Sequence, residues 1–119
     1  MSSESGAAVS RVTGLLGLAR RAGGVAVGTE AAREAIRAGH ARLVLVAQDA
    51  APAQSAKMRR TLAGHAVPHA AWGSRGELGA AVGVAPLSAV AVTHAELAAQ
   101  MLSVLEPRAQ SPVVTGVEA

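Results

Sequence analysis

The apolar positions along the chain follow two different periods. Residues 42–49, Arg-Leu-Val-Leu-Val-Ala-Gln-Asp, hold a short apolar run without alternation, rich in β-branched side chains, that ends at Gln48-Asp49 and the small-residue turn at 50–52. Such a run predicts a strand covered on both faces. Helical patterns lie on either side of it, so it is the expected central strand of one α/β sheet. Upstream, Val12, Leu15, Leu16 and Ala19 form a one-sided stripe. The stripe predicts a helix capped by Ser10, carrying Arg20 and Arg21 in its last turn and stopped by Gly23-Gly24. Val25-Ala-Val27 is a very short strand. A second helix follows from Gly28-Thr29, with Thr29 as its cap and Gly39 as its stop. Its sheet side is Ala31, Ala32, Ala35 and Ile36.

Beyond the central strand, Pro52 suits the first turn of a third helix, anchored by Met58 and Leu62 and ended by Gly64. A weaker strand lies in 66–71, where Pro68 implies an edge position or a start after the proline. Ser74-Arg-Gly-Glu77 matches a capping box and opens a helix with Leu78, Ala81 and Val82 inside. The apolar loop Val84-Ala-Pro-Leu87 leads to a strand at 88–92. Thr93-His-Ala-Glu96 is a second capping box, and its helix buries Leu97 and Met101. Strands alternating with helices predict a sheet layered by helices on both faces, an α/β class of fold. Residues 1–9 are expected to be a flexible arm, 10–105 a single domain and 106–119 a flexible tail.

Composition narrows this picture. Half of the 119 residues are apolar, but Trp72 is the single aromatic, so the core must be built from small aliphatic layers. Without cysteine there is no disulfide, thiolate nucleophile or cysteine-based metal site. No run is apolar for long enough to span a bilayer, and residues 1–10 do not resemble a secretory signal, so the expected location is cytoplasmic. The formal charge of +3 alone says little about partners. Its distribution says more: between residues 11 and 60 stand nine bases and three acids.

No catalytic constellation assembles. His40, His65, His69 and His94 are scattered, no acid follows at ligand spacing, and neither a nucleophile elbow nor a phosphate-binding glycine loop is present. The chain is expected to be no enzyme and to use no cofactor or metal.

Four pieces carry a resemblance: Leu16-Gly-Leu-Ala-Arg-Arg-Ala-Gly23, Gly28 with its helix to Gly39, Leu43-Val-Leu-Val-Ala-Gln-Asp49, and Glu77-Leu-Gly79 with Ala81 and Gly83. In this order they resemble the kink-turn-binding ribosomal protein superfamily over about residues 10–103, and the opening piece is most similar to its small bacterial branch. The resemblance implies a three-layer α-β-α sandwich with a mixed, about four-stranded sheet. It also implies binding of structured RNA, ribosomal or regulatory, at a bent internal loop. The RNA face would be the start of the second helix, Gly28, Thr29, Glu30, Ala31 and Arg33. The loop of Val84, Ala85, Pro86, Leu87 and Ser88 would close over an extruded base. Gly28 and Thr29 match the family opening. Glu30 and Ala31 stand where well-studied members have Asn and Glu, and Glu34 stands where they have Lys.

The residues themselves support part of this. A helix start at Gly28-Thr29 offers free N–H groups and a positive dipole end to phosphate. Arg33 and Arg37 are four apart, on one helix face, and Arg can grip phosphate or stack on a base. Glu30 can accept from a guanine or cytosine donor but repels phosphate. An ordinary capped helix with a charged outer face has the same pattern. Lys57, Arg59 and Arg60 form the densest base cluster, read equally as an extended RNA footprint, a protein contact or a solvated face. Asp49 is expected to accept N–H bonds from the turn at 50–52. Trp72 suits the core as well as a stacking role. The resulting expectation is a monomeric RNA-binding protein in ribosome or translation-related function, with ribosome or assembly proteins as further partners and no membrane. The alternative is a protein-interaction module or assembly factor with little direct RNA specificity.

Overall fold

The computed structural model describes residues 2–105, with side chains from residue 9 onward. Nine elements follow one another: α1 (Ser2–Arg21), β1 (Val25–Val27), α2 (Thr29–Arg37), β2 (Leu43–Val46), α3 (Pro52–Ala63), β3 (His69–Ala71), α4 (Arg75–Ala81), β4 (Ala89–Val92) and α5 (Ala95–Leu105). The sheet order is β1-β4-β2-β3. β4 pairs antiparallel with both β1 and β2, and β2 pairs parallel with β3, so the sheet is mixed and four-stranded.

The two inner strands are buried on both faces, as the unbroken apolar run at 43–47 implied. Their side chains alternate between two cores. Leu43, Leu45, Val90 and Val92 pack with Val12, Leu16 and Ala19 of α1, Leu78 and Ala81 of α4, and Ala98 and Met101 of α5. Val44, Ala89 and Ala91 face the other way, against Ala32, Ala35 and Ile36 of α2 and Met58 and Leu62 of α3. That second face is almost all Ala and Val, which lets the helix backbones come close to the sheet. β1 lies at one edge. β3 lies at the other and begins directly after Pro68, which cannot donate to a ladder. Trp72, only 6% exposed, belongs to the larger core.

Several boundaries differ from the sequence-based expectation. Residues 2–9, expected as a loose arm, continue α1, and Ser10 lies inside that helix rather than capping it. Once packing at Val12 and Leu16 has nucleated the helix, adding turns at its end costs little. The N-cap of α2 is Gly28, not Thr29. At α5 the Leu97 N–H bonds to Nδ1 of His94, so His94 takes the capping place expected of Thr93. The box at Ser74 and Glu77 forms in both directions. The tail expected over 106–119 lies outside the described residues.

The loop 84–88 is set by close packing on α4. The Val84 N–H bonds to the Gly79 carbonyl at 2.8 Å. A Cβ built on Gly79 would overlap the Ala85 carbonyl oxygen and sit 2.8 Å from its carbon. Backbone stands on both sides, so only hydrogen fits there. Gly79→Ala is expected to destabilise the fold by about 1–3 kcal/mol, as overpacking does. It should lower the urea unfolding midpoint with little change in slope, and proteolysis within 84–88 should quicken.

Candidate nucleic-acid interface

The strand directions bring four connections to one end of the sheet. β1, β2 and β3 end there and β4 begins there. The Gly28 N–H donates to the Ala89 carbonyl at 3.0 Å, and the Ala47 N–H to the Ser88 carbonyl at 2.8 Å. The amino end of α2 and the loop 84–88, sixty residues apart in the chain, therefore stand side by side.

The α2 start is open. Gly28 has φ 99° and ψ 161°, a conformation that a side chain would strain, and no side chain caps the helix. The first intrahelical bond is Ala32 N–H to Gly28 C=O at 2.9 Å. The N–H groups of Thr29, Glu30 and Ala31 thus find no acceptor within the helix, and they sit at its positive dipole end. Thr29 and Ala31 are half-buried and Glu30 is exposed. Beside them, Ala85 and Pro86 are exposed, while Val84, Leu87 and Ser88 are half-buried. An open row of donors next to an exposed apolar lip suits a polyanion with splayed bases: N–H groups for oxygen acceptors, the lip for a base face.

The charged residues are arranged differently from the pattern expected of Arg33 and Arg37. Nη1 of Arg33 reaches both Glu30 carboxylate oxygens, at 3.1 and 2.9 Å, and Nε donates to the Thr61 hydroxyl of α3 at 3.0 Å. Thr61 is buried and passes its own proton donation to the Lys57 carbonyl. Lys57 Nζ stands 3.7 Å from Glu30. Arg37 is exposed in the last turn, roughly 12 Å along the axis from Thr29. Arg59 and Arg60 are exposed on α3. Hydrogen bonds from Arg33 hold the Glu30 carboxyl below the usual glutamate range, and the charges of Arg33, Lys57 and Arg37 act in the same direction.

Residues that the sequence did not single out also shape the site. Thr61 carried no motif, and its value comes from facing α2. Asp49 accepts from the Arg75 N–H at 2.7 Å rather than from the turn at 50–52, and its other oxygen lies 3.8 Å from Arg75 Nε. The Arg75 carbonyl takes the Leu87 N–H at 3.2 Å, tying the loop to the start of α4. A carboxylate near a helix start was legible at Asp49, but the helix it serves depended on strand order. Trp72 is core and not a stacking platform. Among the described residues, no three His, Asp or Glu side chains are grouped to hold a metal ion, and no helix is long and apolar enough to cross a membrane.

Comparison with known proteins decides the lineage. The family model described as the ribosomal protein L7Ae/L30e/S12e/Gadd45 family matches residues 10–102. The chain belongs to this family. The family is one of RNA-binding, non-catalytic, ribosomal-protein-like molecules. Among solved structures it is similar to a protein of unknown function from Bacillus halodurans C, with TM-score 0.73 and 27% identity over 78% of this chain and 94% of that one. It shares its fold with the Giardia lamblia 15.5kD RNA binding protein, with TM-score 0.70 and 22% identity over 82% and 88% of the two chains. No curated protein sequence is matched.

The Glu30 ion pairs give a direct titration test. A carboxyl whose folded pKa is depressed adds stability above its unfolded pKa and loses it as pH falls through the folded value. The Glu30 carboxyl carbon, followed by NMR, is expected to titrate below the usual glutamate range. Arg33→Ala should move that midpoint back up. An unchanged midpoint would show that the Arg33 hydrogen bonds are not formed in solution.

Proposed function

We propose that residues 10–105 act as one RNA-binding unit that receives a structured RNA at the amino end of α2 and under the loop 84–88. The RNA is a kink-turn or a related bent internal loop, ribosomal or regulatory. The α2 side of the site runs from Gly28 to Arg33, with Arg37 further along. Lys57, Arg59 and Arg60 extend it as a basic surface on α3. The protein works as a cytoplasmic monomer in ribosome or translation-related function.

The observation that carries this reading is the juxtaposition made by the Gly28–Ala89 hydrogen bond, which sets an uncapped helix start beside an exposed apolar loop. A sharply bent RNA offers both matching parts at once, a crowded phosphate backbone and an extruded base. Membership of the ribosomal-protein family supports the same partner class. Glu30 and Ala31 replace the Asn and Glu of well-studied members, so discrimination between bent and straight loops is weaker here than in those proteins.

Titration with two hairpin RNAs, alike except that one has a bent and the other a straight internal loop, tests this. Binding should favour the bent loop and weaken linearly in log salt, by about 0.7 to 0.9 per phosphate contacted. Ala85→Glu, which adds an acid at an exposed loop position, should weaken binding by about tenfold, or about 1.4 kcal/mol, without shifting the unfolding midpoint. Equal affinity for the two loops would remove bent-loop recognition. Binding that ignores salt would remove the phosphate contacts altogether.

A further inference from the structure

The bases around Glu30 are held in two distinct ways. Arg33 is 19% exposed and makes three hydrogen bonds, two to Glu30 and one to the buried Thr61 hydroxyl. Turning its guanidinium toward a ligand would break all three and leave Glu30 without its main partner. Lys57 is 39% exposed, and its ammonium lies 3.7 Å from Glu30, beyond hydrogen-bond length. Its flexible four-carbon stem lets it swing at little cost. Glu30 itself is 67% exposed at the second position of α2, next to the open N–H row.

We infer that Arg33 is a positioning residue, which cancels and holds Glu30 at the mouth of α2, and that Lys57 is the cation which leaves Glu30 to meet an RNA phosphate there. This division of labour rests on the RNA-binding reading above and deepens it. The chemistry follows from charge. An ionised, unpaired carboxylate beside the helix start would oppose the dipole end that draws phosphate in. Arg33, whose Nη1 reaches both carboxylate oxygens, neutralises it without occupying the N–H groups. Braced through Nε to α3, Arg33 also stops Glu30 from following Lys57 when Lys57 moves to the phosphate. One acid shared by two bases thus lets one base depart while the acid stays paired. Arg33 and Lys57, the two bases that face Glu30, thus have opposite duties.

The test uses the full chain and the bent-loop hairpin, with affinity measured across a salt series and unfolding midpoints measured in parallel. Lys57→Ala should reduce the log–log salt slope by about 0.7 to 0.9, the loss of one phosphate contact. Arg33→Ala should leave the slope unchanged while weakening binding about two- to fivefold, the range for freeing one exposed charge. Adding Glu30→Gln to Arg33→Ala should restore affinity, which a purely structural loss of the Thr61 bond would not allow. Glu30→Gln alone, an exposed substitution that keeps the fold, should strengthen binding by about the same factor. The inference is overturned if Arg33→Ala lowers the slope as Lys57→Ala does, if Glu30→Gln fails to rescue it, or if Glu30→Gln alone weakens binding. If the unaltered chain shows no salt-dependent binding to the hairpin, the RNA reading itself is overturned, and the two failures are thereby told apart.

Discussion

Everything in this fold hangs on the antiparallel pairing of β2 with β4, two four-residue strands buried on both faces. Eight side chains have to serve two cores, so Leu and Val go to the side that carries three helices, and Ala and Val to the side that carries two. Almost no aromatic volume is available. The layers must therefore close by approach of backbones rather than by large side chains, and alanine at 89, 91, 32 and 35 makes that approach possible. The same pairing fixes where β4 begins, and with it where the loop 84–88 lands relative to α2.

The class of fold was legible from local pattern, because an unalternating apolar run between helical stripes has few other readings. Pro68 at the start of an edge strand and the Ser74–Glu77 box were legible for the same reason: each depends on chemistry within four residues. What escaped was set by partners far along the chain. Gly28 and not Thr29 is the cap: its carbonyl takes the Ala32 N–H, and its own N–H is held by Ala89, far along the chain. Asp49 accepts the first N–H of a helix that begins 26 positions later. Arg33 looked like a free surface base because Thr61, its partner on α3, has no distinguishing sequence context.

The charge arrangement shows why a count of bases says little about such a surface. Arg33, Arg37 and Lys57 all lower the titration of one acid, yet they differ in exposure, in number of hydrogen bonds and in distance from the helix start. A surface of this kind presents less net positive field than its sequence suggests.

The burial of Trp72 has a practical side. With no tyrosine in the chain, this one indole is the only strong near-ultraviolet chromophore of the polypeptide, and it is sealed in the larger core. Its fluorescence therefore reports whether that layer is intact and is shielded from soluble quenchers. Absorbance of the purified material, by contrast, rests on this single indole and is readily distorted by co-purified nucleotide.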